Sequence, residues 1–312
     1  MNSNTAVPTA SSTVRPWLTE KVKSRLAAYL FISPFFLLFA VFGVYPIFFT
    51  FYLSLYKWNG LGEMKYVGLQ NFQFVLEDPT FWVSVGNTFI MGALGTIPQL
   101  FLALMLAVAL NSAFIKGVKL LRAIYFLPNI TSIVAVTLIF SAAFANEGMF
   151  NYLVSLIGLG PYTWNVENWP LKIAVAIMVL WRWTGYNAII YLAGLQSIPT
   201  DLYEAGRIDG ANKRQLFTYI TVPLLKPFII FTVLLSTIGS LQLFTEPYVF
   251  LSQGGSGSTR SEGITMVIYL YSEAFRNSFF GTAAASAVIL FFFTIIFSLF
   301  NSWVSRRIGG DE

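Results

Sequence analysis

Trp181, Arg182, Trp183, Tyr186, Asn187 and Tyr191 crowd into one apolar run of this 312-residue chain. At about 100° per residue, Trp183, Tyr186, Asn187 and, one turn on, Tyr191 share a helical face. Aromatic rings stack on the apolar CH surfaces of sugars, and amides hydrogen-bond their hydroxyls. Gln242, Phe244, Thr245 and Tyr248 form a second group of this kind near the end of a later run. Trp and Tyr near span ends also anchor proteins at the membrane interface. That reading weighs equally for Tyr248, but less for Trp183, Tyr186 and Asn187, which sit mid-run, where an Asn needs a partner. Arg182 is the one ionised group near the centre of a run. A charge there costs at least about 2.5–3.5 kcal/mol, so it should face the bundle interior, a cavity or a partner acid. Glu246 is the nearest acid within the chain but lies at a different depth. Snorkelling, or an acid on another subunit, serves equally well.

Other chemistry is poorly supplied. There is no Cys and no His, which removes thiolate chemistry together with the commonest general base and metal ligand. No G-x-x-x-x-G-K-[ST] occurs, so ATP is not held by a P-loop. Glu77-Asp78 is the one adjacent acid pair on the outer connections and reads as solvated loop. No catalytic residue, metal site or cofactor is therefore expected on this chain, and whatever drives it must sit on another subunit. The composition is 56% hydrophobic and 11% charged, with mean hydropathy +0.68, whereas soluble domains carry about 25% charged residues. The chain belongs in a lipid bilayer. Its net charge of +5 is not gathered on a soluble domain, so no nucleic acid is expected.

The elements that must position these groups are all-α: a polytopic membrane protein with six transmembrane helices. A polar N-terminal tail, 1–26, precedes spans at about 27–55, 81–110, 120–144, 171–195, 223–251 and 283–304, and a tail, 305–312, follows. The first apolar run is too long for a signal-peptide core. Each run suffices to cross roughly 30 Å of hydrocarbon. Pro34 and Pro46 should kink the first, Pro128 lies near the start of the third, and Gly254–Ser258 opens the connection after the fifth.

Lys and Arg assign the sides. With the N-terminus inside, thirteen fall on inner segments (Arg15, Lys21, Lys23, Arg25, Lys116, Lys119, Arg122, Arg207, Lys213, Arg214, Lys226, Arg306, Arg307). Five fall outside (Lys57, Lys65, Lys172, Arg260, Arg276). By the positive-inside rule both termini and the 200–222 loop are cytoplasmic.

The stretch Glu204–Pro227, which takes in most of that loop and the start of the next run, is the polar, positively charged interruption around which the chain is arranged. Asp201 and Glu204 have capping-box spacing. Asp209-Gly210 is a turn pair. Asn212 can cap a second helical piece whose Leu216, Phe217 and Ile220 share a face. Pro223 opens the next run. Glu204-Ala205-Gly206, three residues, Gly210, nine residues, then Ile220-x-Val222-Pro223 resembles the EAA loop of ABC-importer permeases. Both spacers match, and Gly206 and Val222 replace the usual Ala and Leu. Gly206 should loosen the first piece by roughly 1 kcal/mol relative to Ala. The resemblance implies that this loop is the coupling helix seated in a separate ATPase subunit. Glu204, Ala205, Gly206, Asp209, Gly210, Ala211, Gln215, Phe217 and Pro223 would be its coupling residues. Glu204 would cap the first piece or pair with a basic group on the ATPase, and Phe217 would pack the loop onto the spans.

Tyr45-Pro46, Gly68-Leu69-x-Asn71-Phe72, Asn87-Thr88 and Phe126-Leu127-Pro128 resemble the carbohydrate branch of that family. So do Trp181, Gly185, Ala193-Gly194-Leu195-Gln196 with Ile198-Pro199, and Tyr271-x-x-Ala274-Phe275 before Gly281. Ser256 stands where the branch has Pro after Gly-Gly. The pattern fits the maltose-type subunit normally encoded first, without its large outer domain and extra N-terminal helices. The resemblance implies a type I permease bundle in the cell membrane that carries a sugar or sugar-like solute, and Arg182 leaves room for an anionic one such as a sugar acid or polyol phosphate. Its partners would be a second, homologous permease, two ATP-binding subunits holding ATP and Mg, and an extracytoplasmic solute-binding protein. Trp181, Arg182, Trp183, Tyr186, Asn187, Gln242, Phe244 and Tyr248 would line the substrate path. An ion-coupled carrier acting alone would want mid-membrane acids or an inverted repeat, and neither is seen. A membrane-embedded transferase would want paired carboxylates.

Overall fold

The computed structural model describes residues 17–111, 117–252 and 262–309. The first and last residues of the tails, Arg15, Lys116, Arg260 and the Gly254–Ser258 stretch lie outside them. Two compact units divide after Thr50.

In the first unit, α1 (Trp17–Phe39) passes through Pro34 unbroken, and a π turn, Ala40–Val44, leads into α2 (Tyr45–Leu53). Pro46 cannot donate to the carbonyl four residues back. One residue before it, the helix widens so that Tyr45 N–H reaches Ala40 O, five residues back. The same device recurs at Val222-Pro223, where Val222 N–H reaches Phe217 O.

The second unit opens with a short hairpin, β1 (Tyr56–Lys57) against β2 (Lys65–Tyr66), then α3 (Gln70–Glu77) and α4 (Pro79–Leu110). Asn71 donates from Nδ2 to Ser54 O and Tyr56 O at 2.8 and 3.0 Å, pinning α3 to the hairpin. Asp78 caps α4 through Thr80 N–H at 2.8 Å. Next come α5 (Val118–Ile130) and α6 (Ile133–Ala143), bent 93° apart. The expected third span is thus two pieces. Thr131 and Ser132 are extended, with ψ 146° and 124°, and the polar Asn129-x-Thr131-Ser132 stretch that follows Pro128 offers little to hold a helix. The connection carries α7 (Met149–Ser155), and α8 (Asn168–Gln196) follows.

The loop after α8 forms α9 (Thr200–Ile208), α10 (Lys213–Leu216) and the second π turn, and leads into α11 (Val222–Leu241). The fifth span is interrupted as well. Helix stops at Leu241 and resumes in α12 (Thr245–Ser252). Pro247 has no N–H for Leu243 O, the carbonyl four residues back. Thr265 Oγ1 donates to that oxygen instead, at 2.7 Å, and the same hydroxyl accepts from Ile268 N–H at the start of α13 (Met266–Phe275). Last is α14 (Phe280–Gly309). Among the described residues five helices are long and apolar enough to span, or six if the bent pair counts as one.

α4 and α8 form the most extensive pair in this unit, running parallel. Near their starts Phe81, Met91, Leu171 and Met178 join Phe250 and Ile268 in one buried cluster. Near their ends Ala103, Ala107, Ala188 and Leu192 join Leu225 in another. Lipid is as apolar as Leu, so close fit rather than hydrophobicity holds such helices, and small residues permit it.

At the start of α4 lies a buried acid. Glu273 is 7% exposed; its Oε1 accepts from Asn277 Nδ2 at 2.7 Å and its Oε2 has no partner. Burial pushes this carboxyl up and the nearby Asp78 charge adds to that, against the Asn277 bond. Asp78 Oδ2 meanwhile accepts from Tyr269 at 2.8 Å. A carboxyl raised in the fold contributes stability that is complete below its ordinary value and lost as pH rises through the raised one. The purified protein should therefore melt at progressively lower temperature as pH climbs above about 4.5, and Glu273→Gln should flatten that slope. Melting curves of both proteins in detergent from pH 4.5 to 8 test this; identical slopes would refute it.

Candidate substrate cavity and coupling elbow

Between the two clusters, midway along α4 and α8, is a cavity of about 460 Å³, within the 300–1,000 Å³ common for ligand pockets. α4 contributes Met91, Gly92, Thr96 and Gln99, and α8 contributes Val179, Trp183, Tyr186 and Asn187. Leu235, Ser236, Gly239 and Ser240 come from α11, and the break before α12 adds the stretch from Gln242 to Glu246; Ile133 opens α6 beside them. The break matters because it turns five consecutive residues, which a helix would spread around its circumference, toward one space. Trp183 meets Tyr186 edge to face at 5.6 Å. Asn187 Nδ2 and Gln99 Nε2 both donate to Trp183 O at 3.3 Å.

Five of the eight expected path residues are on this wall: Trp183, Tyr186, Asn187, Gln242 and Phe244. Trp181 is not. It points to α6, edge-on to Phe140 at 5.4 Å, and is 43% exposed. Tyr248 stands behind the wall, stacked on Phe244 at 4.9 Å and against Tyr271 at 5.2 Å. Tyr191 is buried one turn deeper, its hydroxyl accepting from Thr232 at 2.7 Å. Arg182 sits on the flank of the cavity face. Its Nε and Nη1 are buried with no hydrogen bond, its guanidinium lies 5.9 Å from the Trp183 ring, and its charge is felt at Glu246 without a close ion pair. Thr96, Gln99, Ser236, Ser240 and Glu246 were missed. Their signal was polar residues at helical spacing inside apolar runs, Thr96-x-x-Gln99 and Ser236-x-x-x-Ser240.

The elbow is built locally. α9 ends in a Schellman turn: Ala211 N–H bonds Gly206 O at 2.9 Å and Gly210 N–H bonds Arg207 O at 3.1 Å, with Gly210 left-handed at φ +81°. Such a φ favours glycine. Asn212 and Gln215 close a capping box on α10, at 2.8 and 2.9 Å, so Gln215 has a structural task here. The box expected from Asp201 and Glu204 does not form, because α9 starts two residues earlier, with Pro199 at the N-cap position, leaving Asp201 in its first turn. There its charge favours the helix N-terminus. Gly206 packs rather than loosens: a Cβ there would meet Leu216 Cδ2 at 2.7 Å. Leu216 is the buried side chain of α10, while Phe217 is half-buried. Tyr203 OH lies 3.0 Å from Thr221 Oγ1, tying α9 to the π turn and so to α11. Glu204, Ala205, Asp209 and Gly210 are exposed, and Ile208 is 86% exposed beside them.

A helical membrane bundle with an internal cavity lined by aromatic, amide and apolar side chains and an exposed two-piece elbow defines a transport subunit of the type I importer permease fold. The chain belongs to the family described as binding-protein-dependent transport system inner membrane component, whose profile matches residues 96–310. It is 37% identical to the lactose transport system permease protein LacF of Rhizobium radiobacter, over 89% of this chain and 94% of that one. It is 32% identical to the arabinooligosaccharides transport system permease protein AraP of Bacillus subtilis (97% and 99%). Identity to the trehalose/maltose transport system permease protein MalF of Thermococcus litoralis is 34% (93% and 97%). In fold it resembles a chain of a bacterial alginate ABC transporter solved with a periplasmic protein holding alginate pentasaccharide, with TM-score 0.81 at 23% identity, covering 93% of this chain and 98% of that one.

Proposed function

We propose that this chain is the permease subunit of an ATP-driven, solute-binding-protein-dependent importer and forms the path for a sugar or sugar-like solute across the cell membrane. It works with a second, homologous permease, two ATPase subunits that hold ATP and Mg, and an extracytoplasmic binding protein. The observation that carries this reading is the cavity: aromatic faces and amides in an otherwise apolar bundle suit a polyhydroxylated solute. The positive-inside distribution of Lys and Arg supports a cytoplasmic elbow and cytoplasmic termini. There, closure of the ATPases would push on Glu204, Ala205, Asp209, Gly210 and Ala211. The Tyr203–Thr221 contact and Pro223 would pass that displacement to α11, which lines the cavity.

The test is purification of the tagged chain from its native membrane in detergent, followed by reconstitution. Co-purifying ATPase subunits and strictly ATP-dependent uptake support the proposal. Uptake by the chain alone, driven by an ion gradient, overturns it in favour of a secondary carrier. Within this reading Arg182→Ala should depress uptake far more than Arg207→Ala. Arg182 has two buried nitrogens in the bundle, whereas Arg207 is exposed on α9. Equal, mild losses in a cell uptake assay would count against a role for Arg182.

A further inference from the structure

We infer that Glu246 selects the solute: the cavity takes a neutral, hydroxyl-rich sugar and rejects sugar acids. The inference rests on the proposed function and assigns its substrate class. Glu246 is 5% exposed and is the one acidic side chain on the wall among the described residues. The nearby cation, Arg182, is not on that wall.

The neutral groups lean the same way. Trp183 O can only accept, so the two contacts to it fix Asn187 and Gln99 with nitrogen toward that carbonyl. One N–H of each is thereby committed, and each amide keeps its oxygen and one N–H for a solute. With the Glu246 carboxyl the two amide oxygens give a solute's hydroxyls three side-chain groups to donate to. A sugar supplies hydroxyl donors to such a wall, and a carboxylate accepting from hydroxyls forms short, charge-assisted bonds. A uronate or sulfonate brings oxygens that only accept, and would place its charge beside Glu246 with no cation on the wall to offset it. Trp183, Tyr186 and Phe244 then give the CH faces of the rings something to stack on.

The experiment measures binding of radiolabelled lactose, maltose and trehalose, and of digalacturonate as the acidic probe, by equilibrium dialysis. The sample is the detergent-purified importer freed of its binding protein, in wild-type, Glu246→Gln and Glu246→Asp forms, with ATPase co-purification as the check on assembly. The expected result is that at least one neutral disaccharide binds the wild type and digalacturonate does not. Glu246→Gln should weaken that binding by about tenfold or more, as loss of hydrogen bonds to a charged acceptor predicts, and Glu246→Asp should recover part of it. Digalacturonate binding to the wild type as tightly as the neutral sugars, no binding of any neutral probe, or equal affinity in wild type and Glu246→Gln would each overturn the inference. If Glu246→Gln fails to assemble, the wild-type preference and Glu246→Asp still decide. Uptake lost on deleting the permease but with unaltered Glu246→Gln binding leaves the importer standing and removes only this inference. Uptake indifferent to the deletion removes both.

Discussion

Gly210→Pro is expected to abolish uptake while the protein still reaches the membrane at its normal level. Gly210 holds φ +81°, whereas proline is fixed near −65°. The substitution also removes the N–H that bonds Arg207 O at 3.1 Å, and with it half of the turn that closes α9. The knuckle between α9 and α10 would open, moving Glu204 and Asp209 relative to Asn212. A Cβ at Gly210 would meet nothing within 4 Å. Gly210→Ala therefore meets only the left-handed backbone penalty, of roughly 1–2 kcal/mol, and should transport measurably. Glu204→Lys reaches the same end by another route, reversing an exposed charge on the face proposed to meet the ATPase without touching the fold. Uptake and membrane abundance measured together decide: normal uptake by both Gly210→Pro and Glu204→Lys would remove the elbow from the coupling mechanism.

The second large effect is on assembly of the bundle. Gly185→Ala should cut the yield of folded protein and lower its melting temperature sharply. A Cβ at Gly185 would run into the carbonyl of Tyr125, a backbone group that cannot rotate aside. α5 and α8 would have to part. Overpacking of this kind typically costs 1–3 kcal/mol and occasionally more. Gly86→Ala is the control: it lies within α4 with nothing in 4 Å of the added carbon, so it should be neutral or gain up to about 1 kcal/mol from helix propensity. Similar melting temperatures for the two variants in detergent would mean that the α5–α8 contact does not govern stability.

Much of this architecture is written in runs and spacings. Apolar length alone marks the spans, because hydrocarbon thickness sets how many residues a helix needs. The elbow is equally legible, since Asp209-Gly210 and Asn212-x-x-Gln215 act through bonds between neighbours a few residues apart. What local sequence could not fix is where helices break and which face looks inward. Pro247 marks a defect in the fifth span, but the gap at Gln242–Phe244 is held by the hydroxyl of Thr265, twenty-two residues on from Leu243. That break puts Glu246 on the cavity wall. Trp181 and Trp183 are two residues apart and chemically alike; which of them meets the cavity and which meets Phe140 depends on α6 turning 93° at Thr131–Ser132. Interactions along the chain are decided by spacing. Those between elements distant in sequence depend on how helices rotate and approach, and in a uniformly apolar surround no pattern of hydrophobicity records that rotation.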